Sequence, residues 1–501
     1  MEMHFIYAVF FSVAVLVLGY VSVASRTMST VRNCKAKLPP GPNTLPLIGN
    51  LHQMVGSMPH HYFKELALEY GPISRVYVGE VLTVIISSVD AAKEVLLTQE
   101  KNFPQRPVSL VGKIVIYDKK GLVFSPYGDH WRKSRKIAVT ELLSTKRVGS
   151  FLSIREEETR DLIDSVAATR GAVFNLTEKF SGLITCGISR AAFGERCQQQ
   201  DRFLSLLDEI VALGGGFSLT DAFPSLRFLS TLTGVKRALL KIKHELDTIL
   251  DEILYKHTKI KGLGGTRDDI VDVLLKLQDS TSDQDDFHLT LNDIKAILLD
   301  IFLAGSETSA TALDWVMAAM LKHPEVMERA QSEVRAAFRG QGNAREESSK
   351  ELSYLRSVIK ETLRLYPPFP LIPRLSIRHC EIRGYDIPPE TRVVINSWAI
   401  GRDPEFWKDA ERFMPERFLG NPVGFLGADF EFLPFGAGRR MCPGIAFALA
   451  SIELPLSQLL YHFDWKLPEG ATPEQLDMAE SFGGTCRRKE ALNVVAIPIT
   501  P

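Results

Sequence analysis

Between Phe435 and Gly444 the chain reads Phe-Gly-Ala-Gly-Arg-Arg-Met-Cys-Pro-Gly, and the apolar run Ile445-Ala446-Phe447-Ala448-Leu449-Ala450 follows. Few folds have a use for a glycine-rich loop that delivers a lone cysteine to the start of an apolar helix. Proline is favoured at the first position of a helix, so Cys442 is expected at or beside a helix N-terminus. Free backbone N–H groups and the helix dipole favour an anion there, which predicts a lowered thiol pKa. No second cysteine or histidine stands nearby to complete a zinc or iron–sulfur ligand set. A single thiolate suits a metal whose other ligands come from a macrocycle. Gly436 and Gly438 would let the backbone approach such a flat group, and Arg440 would meet a carboxylate on it. The plain alternative is a buried structural cysteine in a turn before a core helix.

The chain has 501 residues, with 59 basic and 60 acidic side chains and a formal charge of -1. That balance provides no overall basic field, so no nucleic-acid partner is expected. Cysteines at 34, 186, 197, 380, 442 and 486 are widely and irregularly spaced, with no CxxC. They read as reduced thiols in a cytosolic compartment.

From Phe5 to Ala24 no residue is charged, a run of about 20 residues, enough for a helix to cross a bilayer. Ser22-Val23-Ala24 is compatible with a cleaved signal peptide, but Met1-Glu2-Met3-His4 lacks a basic region and the run is long for a signal core. Arg26, Arg32, Lys35 and Lys37 follow the run, which orients the remainder of the chain to the cytosol. The expectation is an uncleaved signal-anchor over 1–26. The sequon Asn175-Leu176-Thr177 would then lie on the unglycosylated side. Leu38-Pro39-Pro40-Gly41-Pro42 cannot continue a helix, so 27–42 reads as a basic, proline-rich hinge.

The body is mostly helix-compatible. Arg75–Val78 and Val81–Ser87 read as a hairpin around Gly79-Glu80, and Asp90–Thr98 as a short helix. Lys101–Ser125 has no clear period and reads as a loop that caps a pocket. Trp131 and Arg135 lie four apart and share a helix face. Thr145–Ala168, Leu204–Leu213 and Lys236–His257 carry helical periodicity, and Gly262–Asp286 reads as helix pieces around a surface loop. Glu361 and Arg364 are spaced as an i, i+3 ion pair ahead of Pro367-Pro368, and such pairs are ordinarily weak surface bridges. The tail from Phe463 alternates like strands, with a tight turn at Phe482-Gly483-Gly484.

Thr290-x-x-Asp293 reads as a capping box, and helix-compatible residues then run to His323 before Pro324. This helix is apolar on nearly all sides, which places it inside the core. Midway sits Ala304-Gly305-Ser306-Glu307-Thr308-Ser309, a poor core segment. Ala304 and Gly305 would admit a flat ligand, and Thr308 would bond back to a carbonyl and open the helix. The bland reading is a locally bent helix with Glu307 reaching solvent or an arginine.

Phe435, Gly438, Arg440, Cys442 and Gly444 match Phe-x-x-Gly-x-Arg-x-Cys-x-Gly in full. Together with Ala304-Gly305-Ser306-Glu307-Thr308, Glu361-Thr362-Leu363-Arg364, Pro415-Glu416-Arg417-Phe418 and Trp131-x-x-x-Arg135, this loop resembles the cytochrome P-450 family, the haem-thiolate monooxygenases. The resemblance covers nearly the whole chain. It implies a mostly α fold with a small β-rich lobe and an N-terminal transmembrane helix, the catalytic domain occupying 43–501. It implies that Cys442 is the proximal ligand of haem b (iron protoporphyrin IX), pushing electron density toward the iron. Phe435, Gly436 and Ala304 would lie against that haem, and Trp131, Arg135, Arg374 and Arg440 would hold its propionates. Glu307 and Thr308 would relay the protons that oxygen activation needs. Glu361, Arg364 and Arg417 would form a buried network under the haem loop. Val111, Ile114, Ala304, Ile372 and Phe482 would contact substrate, with Leu371 beside Ile372.

The implied reaction inserts one atom of O₂ into a small apolar substrate. Electrons would come from NADPH through a flavoprotein reductase, met by Lys133, Lys136 and Arg439. A single-pass endoplasmic-reticulum protein with a cytosolic catalytic domain is expected. Same-fold rivals are a reductase-independent isomerase and a ligand sensor, and a protein without cofactor is the third. The stretches Ser125–Trp131, Thr140–Ser144, Phe369–Arg374 and Leu460–Lys466 are similar to plant microsomal terpene hydroxylases. A mono-, sesqui- or diterpene is therefore the expected substrate, with alkaloids and phenolics as alternatives.

Overall fold

A single helix from Leu291 to Lys322 runs through the middle of the molecule. Thr290 and Asp293 cap it reciprocally: Asp293 N donates to Thr290 Oγ1 at 3.2 Å, and Thr290 N donates to Asp293 Oδ2 at 2.8 Å. It ends at His323, ahead of a proline that starts the next helix, Pro324–Phe338. The helix is long and apolar enough to cross a bilayer, but 61% of its most apolar window is buried inside the protein. It is a core helix, as its all-round apolarity predicts.

The computed structural model describes residues 37–499, apart from 119, 197–198, 215–218, 227, 264–267, 281–287 and 340–351. The expected membrane helix at 1–26 and most of the hinge lie outside the described residues. The end of the hinge is docked: Arg75 donates from its backbone N to Pro40 O at 2.9 Å and from Nε to Pro39 O at 2.7 Å. A Cβ at Gly41 would lie 2.1 Å from the Arg75 carbonyl oxygen, so only glycine lets the segment run this close.

Leu176–Phe193, Ser353–Leu365 and Ile445–His462 pack around the central helix and share one large apolar core with it. Beside them stands a small sheet. Ile73–Val78 and Val81–Ile86 form the expected hairpin, turning at Gly79 with φ 63°. Arg392–Asn396 pairs parallel to the second of these strands, and Leu371–Leu375 closes the edge antiparallel. The period of two along a strand puts Leu371 and Ile372 on opposite faces. Leu371 packs with Val76, Val78 and Ile85, whereas Ile372 packs with Ile73, Val84 and Ile86. The tail forms short strands, among them the hairpin Glu480–Phe482 with Cys486–Arg488.

Two local expectations change. The helix expected over Thr145–Ala168 is two, Thr145–Ser150 and Leu152–Ala167, separated at Phe151. Gly149 and Ser150 are weak helix formers, and the buried Phe151 ring holds the break. The loop Lys101–Ser125 contains a short helix, Leu110–Ile114, whose Gly112 N–H donates to Ser109 Oγ at 3.1 Å.

Candidate active site

Cys442 stands just ahead of the helix Ile445–His462, for which Gly444 is the N-cap. Its N–H donates to Phe435 O at 3.0 Å, and Gly444 N–H donates to its Sγ at 3.4 Å. Burial pushes the thiol pKa up, and the Gly444 N–H, Arg135 and Arg106 pull down without offsetting it. The lowered pKa expected from the helix end is therefore corrected. Desolvation outweighs the Gly444 N–H and the two guanidinium groups, and a cation bound at the sulfur would reverse that order. The two loop glycines also divide. Gly438, at φ 68°, carries its backbone against Leu96, whose carbonyl oxygen would be 2.1 Å from an added Cβ. That glycine serves protein packing rather than approach to a flat group. Gly436, at φ 71°, has Ile372 Cδ1 3.9 Å from the position of a Cβ. Phe435 is half-buried against Phe425.

Four arginines converge behind this loop. Arg440 donates from Nε, Nη1 and Nη2 to the carbonyls of Pro104, Leu122 and Ser125 at 3.0, 3.2 and 2.6 Å. Its guanidinium lies 4.2 Å from the centre of the Trp131 ring. Arg135 donates to Met441 O at 2.5 Å, next to Cys442. Arg106 donates to Val123 O at 3.3 Å and Arg440 O at 3.2 Å. Arg374 is buried and donates only to Pro373 O, at 2.9 Å, among the described residues. Burial pulls its pKa well below the usual arginine value, and Arg106 and Arg440 add to that. Burial and the neighbouring Arg106 and Arg135 bring Arg440 down to about 9. One buried carboxylate stands near: Asp300 accepts from Val123 N at 3.0 Å, and its own pKa is raised by burial to about 6.

Four like charges, Arg374 and Arg440 buried and Arg106 and Arg135 half-buried, need anions. The two carboxylates of a porphyrin would meet that need, so these residues fit the group the cysteine loop implies. Trp131 Nε1 donates to Leu122 O at 3.1 Å, the carbonyl that also accepts from Arg440 Nη1, so the indole supports Arg440 from the loop side. Arg106 was not anticipated. Its signal, an arginine between prolines in an apolar loop, is visible only as Pro104-Gln105-Arg106-Pro107.

Thr308 bonds back as expected, but the central helix is not opened by it: it runs unbroken from Leu291 to Lys322, and its middle is only less buried. Thr308 Oγ1 donates to Ala304 O at 2.5 Å and Ser306 Oγ to Phe302 O at 2.6 Å. Residues 303–308 are half-buried or exposed, whereas 309–321 are buried. The helix after Cys442 repeats this, with 441–450 half-buried and 451–461 buried. Two core helices thus present partly exposed, largely apolar faces inside the protein, as a large flat apolar ligand requires. Glu307 is half-buried, and its partner is a hydroxyl rather than an arginine among the described residues: Thr485 Oγ1 donates to its Oε1 at 2.8 Å. Thr485 Oγ1 also lies 3.3 Å from Thr311 Oγ1. Thr485 was not anticipated, because nothing local distinguishes a threonine after Gly483-Gly484.

Glu361, Arg364 and Arg417 form a buried network rather than the default surface bridge. Arg364 Nε donates to Glu361 Oε2 and Nη2 to Oε1, both at 2.8 Å, and Arg417 Nε donates to Oε1 at 3.0 Å. Met414 N donates to the same oxygen at 2.7 Å, and Arg364 Nη1 reaches Gly401 O and Ala410 O at 2.6 and 2.7 Å. Of the substrate candidates, Val111 is buried in the main core with Ile114 packed against it. Phe482 packs on the sheet face that holds Leu371, not the face of Ile372. The pair Leu371 and Ile372 therefore does not line one wall. Arg439, expected to be free for a partner, pairs with Glu100 at 2.7 Å and bonds to Tyr127 OH.

A family model described as Cytochrome P450 matches residues 39–491. The chain is 50% identical over 473 residues to melianol synthase CYP71BQ17 of Ailanthus altissima, covering 93% of this chain and 91% of that one. It is 47% identical over 474 residues to premnaspirodiene oxygenase of Hyoscyamus muticus, covering 93% of each. Among solved structures it is similar to a zebra fish cytochrome P450 with progesterone, at TM-score 0.75 and 26% identity, covering 89% of this chain and all of that one.

Proposed function

The chain belongs to the cytochrome P450 family and is a haem-thiolate monooxygenase, and from that premise we propose that it oxidises a terpenoid with electrons from NADPH delivered by a flavoprotein reductase. When bound, haem would supply the oxygen-activating chemistry, and a thiolate would hold its iron. Cys442 is the residue for that bond, and Gly444 N–H steadies its sulfur. Arg374, Arg135, Arg106 and Arg440 neutralise the propionates. The observation that carries the reading is a group of four buried or half-buried arginines beside Cys442, with Asp300 the one buried carboxylate near them among the described residues.

On the central helix Thr308 would donate a proton from its Oγ1, and Glu307 would resupply it. Thr485 holds Glu307 in place through its hydroxyl. A hydroxyl backed by a carboxylate is a route for protons into an apolar pocket. Ala304, Ile114 and Ile372 orient the substrate by shape, whereas Val111 is buried in the core and Phe482 lies on the other face of the sheet. The terpenoid assignment rests on the names of the two plant relatives. The anchor at 1–26 and residence on the endoplasmic-reticulum membrane belong to the same proposal, with Lys133 and Lys136 toward the reductase. The test is a terpenoid panel incubated in microsomes with reductase and NADPH, read by mass gain of one oxygen. Conversion only of alkaloids or phenolics would overturn the substrate class, and conversion without reductase would overturn the electron route.

A further inference from the structure

We propose that His60, His61 and Glu480 form a binding site for a zinc ion that ties the first turn of the helix Pro59–Tyr70 to the start of the strand Glu480–Phe482. His60 Nε2 and His61 Nε2 each lie 2.8 Å from the same oxygen, Glu480 Oε2. The three donor atoms all fall within 4.8 Å of one another. Two imidazoles and a carboxylate are a donor set that zinc takes at about 2.0–2.2 Å per ligand in tetrahedral geometry. Such a site separates its donors by about 3.4 Å, so the pair contacts need open by only a fraction of an ångström.

Helix periodicity does not account for the convergence. Adjacent helical residues do not face one another, yet both rings reach one carboxylate oxygen. The site is also braced. His60 is fully buried, its ring 5.1 Å from that of Trp398 and 6.0 Å from that of Phe482. Asn396 Nδ2 donates to the His60 carbonyl at 2.8 Å. His60 Nε2 donates its proton to Glu480 Oε2 and Nδ1 has no hydrogen-bond partner among the described residues, so zinc binding at Nε2 shifts that proton to Nδ1 or releases it. Cys486 Sγ, 4.0 Å from His60 Nε2, is a further soft donor on the buried side. His61, with 41% of its side chain exposed, is the route by which an ion enters.

The site lies outside the groups assigned to catalysis, but its strand carries Phe482 and its hairpin carries Thr485. Zinc would fasten that hairpin to the N-terminal helix. The test uses the full-length haem-loaded protein in detergent, titrated with Zn²⁺ against a chromophoric chelator. One equivalent is expected at micromolar affinity or tighter, with hydrogen exchange slowed across 480–488. His61→Ala, at a half-exposed position that leaves folding intact, should weaken binding at least tenfold with haem content unchanged. Glu480→Gln should do the same, and His379→Ala, a surface control, should not. Absence of competition by the wild-type protein, or equal binding by His61→Ala, would overturn the proposal and leave a metal-free hydrogen-bonded cluster.

Discussion

Thr485 and Glu307 meet at 2.8 Å, hydroxyl to carboxylate, although one lies in the C-terminal hairpin and the other in the middle of the central helix. The contact fixes which way the acid points. Replacing Thr485 with valine keeps the shape and removes the donor. A hydrogen bond to a charged group contributes about 1.5–3 kcal/mol. We expect product formation per NADPH consumed to fall about tenfold, since tenfold in rate is about 1.4 kcal/mol. Haem content should not change. Measuring NADPH loss and product together checks this, and unchanged coupling would remove Thr485 from the relay.

Arg374 supports a prediction with two signs. Its guanidinium is buried beside Arg106 and Arg440, with only a neighbouring carbonyl for company. In haem-free protein it is an unpaired buried cation, and removing it relieves repulsion. In haem-loaded protein it would neutralise a propionate. Arg374→Leu should therefore retain haem less well while its haem-free form unfolds at the same or a higher temperature than wild type. Haem-to-protein absorbance ratios and thermal unfolding of both forms test the two halves. A haem-free variant that melts earlier would show that Arg374 is structurally paired after all.

Much of this arrangement was legible in the residues. The capping box at Thr290 and Asp293, the stop at Pro324 and the less buried segment around Ala304 are local, because each involves neighbours within a turn or two. The loop Phe435–Gly444 was legible because its composition is rare. What escaped was what depends on distant partners. Gly438 needs its missing side chain because Leu96 lies against it, a contact no local pattern announces. Trp131 gives its N–H to the Leu122 carbonyl, and that carbonyl is in reach only once the loop has folded over the helix. The Cys442 thiol pKa went the other way because the dipole argument is local and desolvation is not.

The ion-pair network under the haem loop yields the largest expected loss. Glu361 is fully buried and accepts from Arg364, Arg417 and Met414 N. Glu361→Ala leaves two guanidinium groups without their carboxylate, and breaking a buried pair from one side costs about 3–5 kcal/mol. We expect protein that accumulates poorly and carries no haem. The reduced, carbon-monoxide-treated difference spectrum is the measurement, and a stable variant with a full thiolate-type band would refute the supporting role.

Asp300 predicts a pH dependence. Burial raises its pKa to about 6 in the folded protein, against the backbone N–H groups of Leu122 and Val123 and the charge of Arg106, which pull it down. In the unfolded chain it titrates near about 3.9. Below about pH 4 both states are protonated and the group costs nothing. As pH rises toward 6 the unfolded chain ionises first, so stability is lost, and above that the loss is constant. A two-unit separation corresponds to about 3 kcal/mol. Asp300→Asn keeps an oxygen for Val123 N–H and never ionises. Asp293 and Glu480, both lowered to about 2, contribute the opposite slope below about pH 4.5, but equally in both proteins. The stability of wild type minus variant should therefore fall between pH 4 and 6.5 and then level. Denaturant unfolding of the haem-loaded proteins at stepped pH measures it, and parallel curves across that window would mean that Asp300 is already ionised at pH 4.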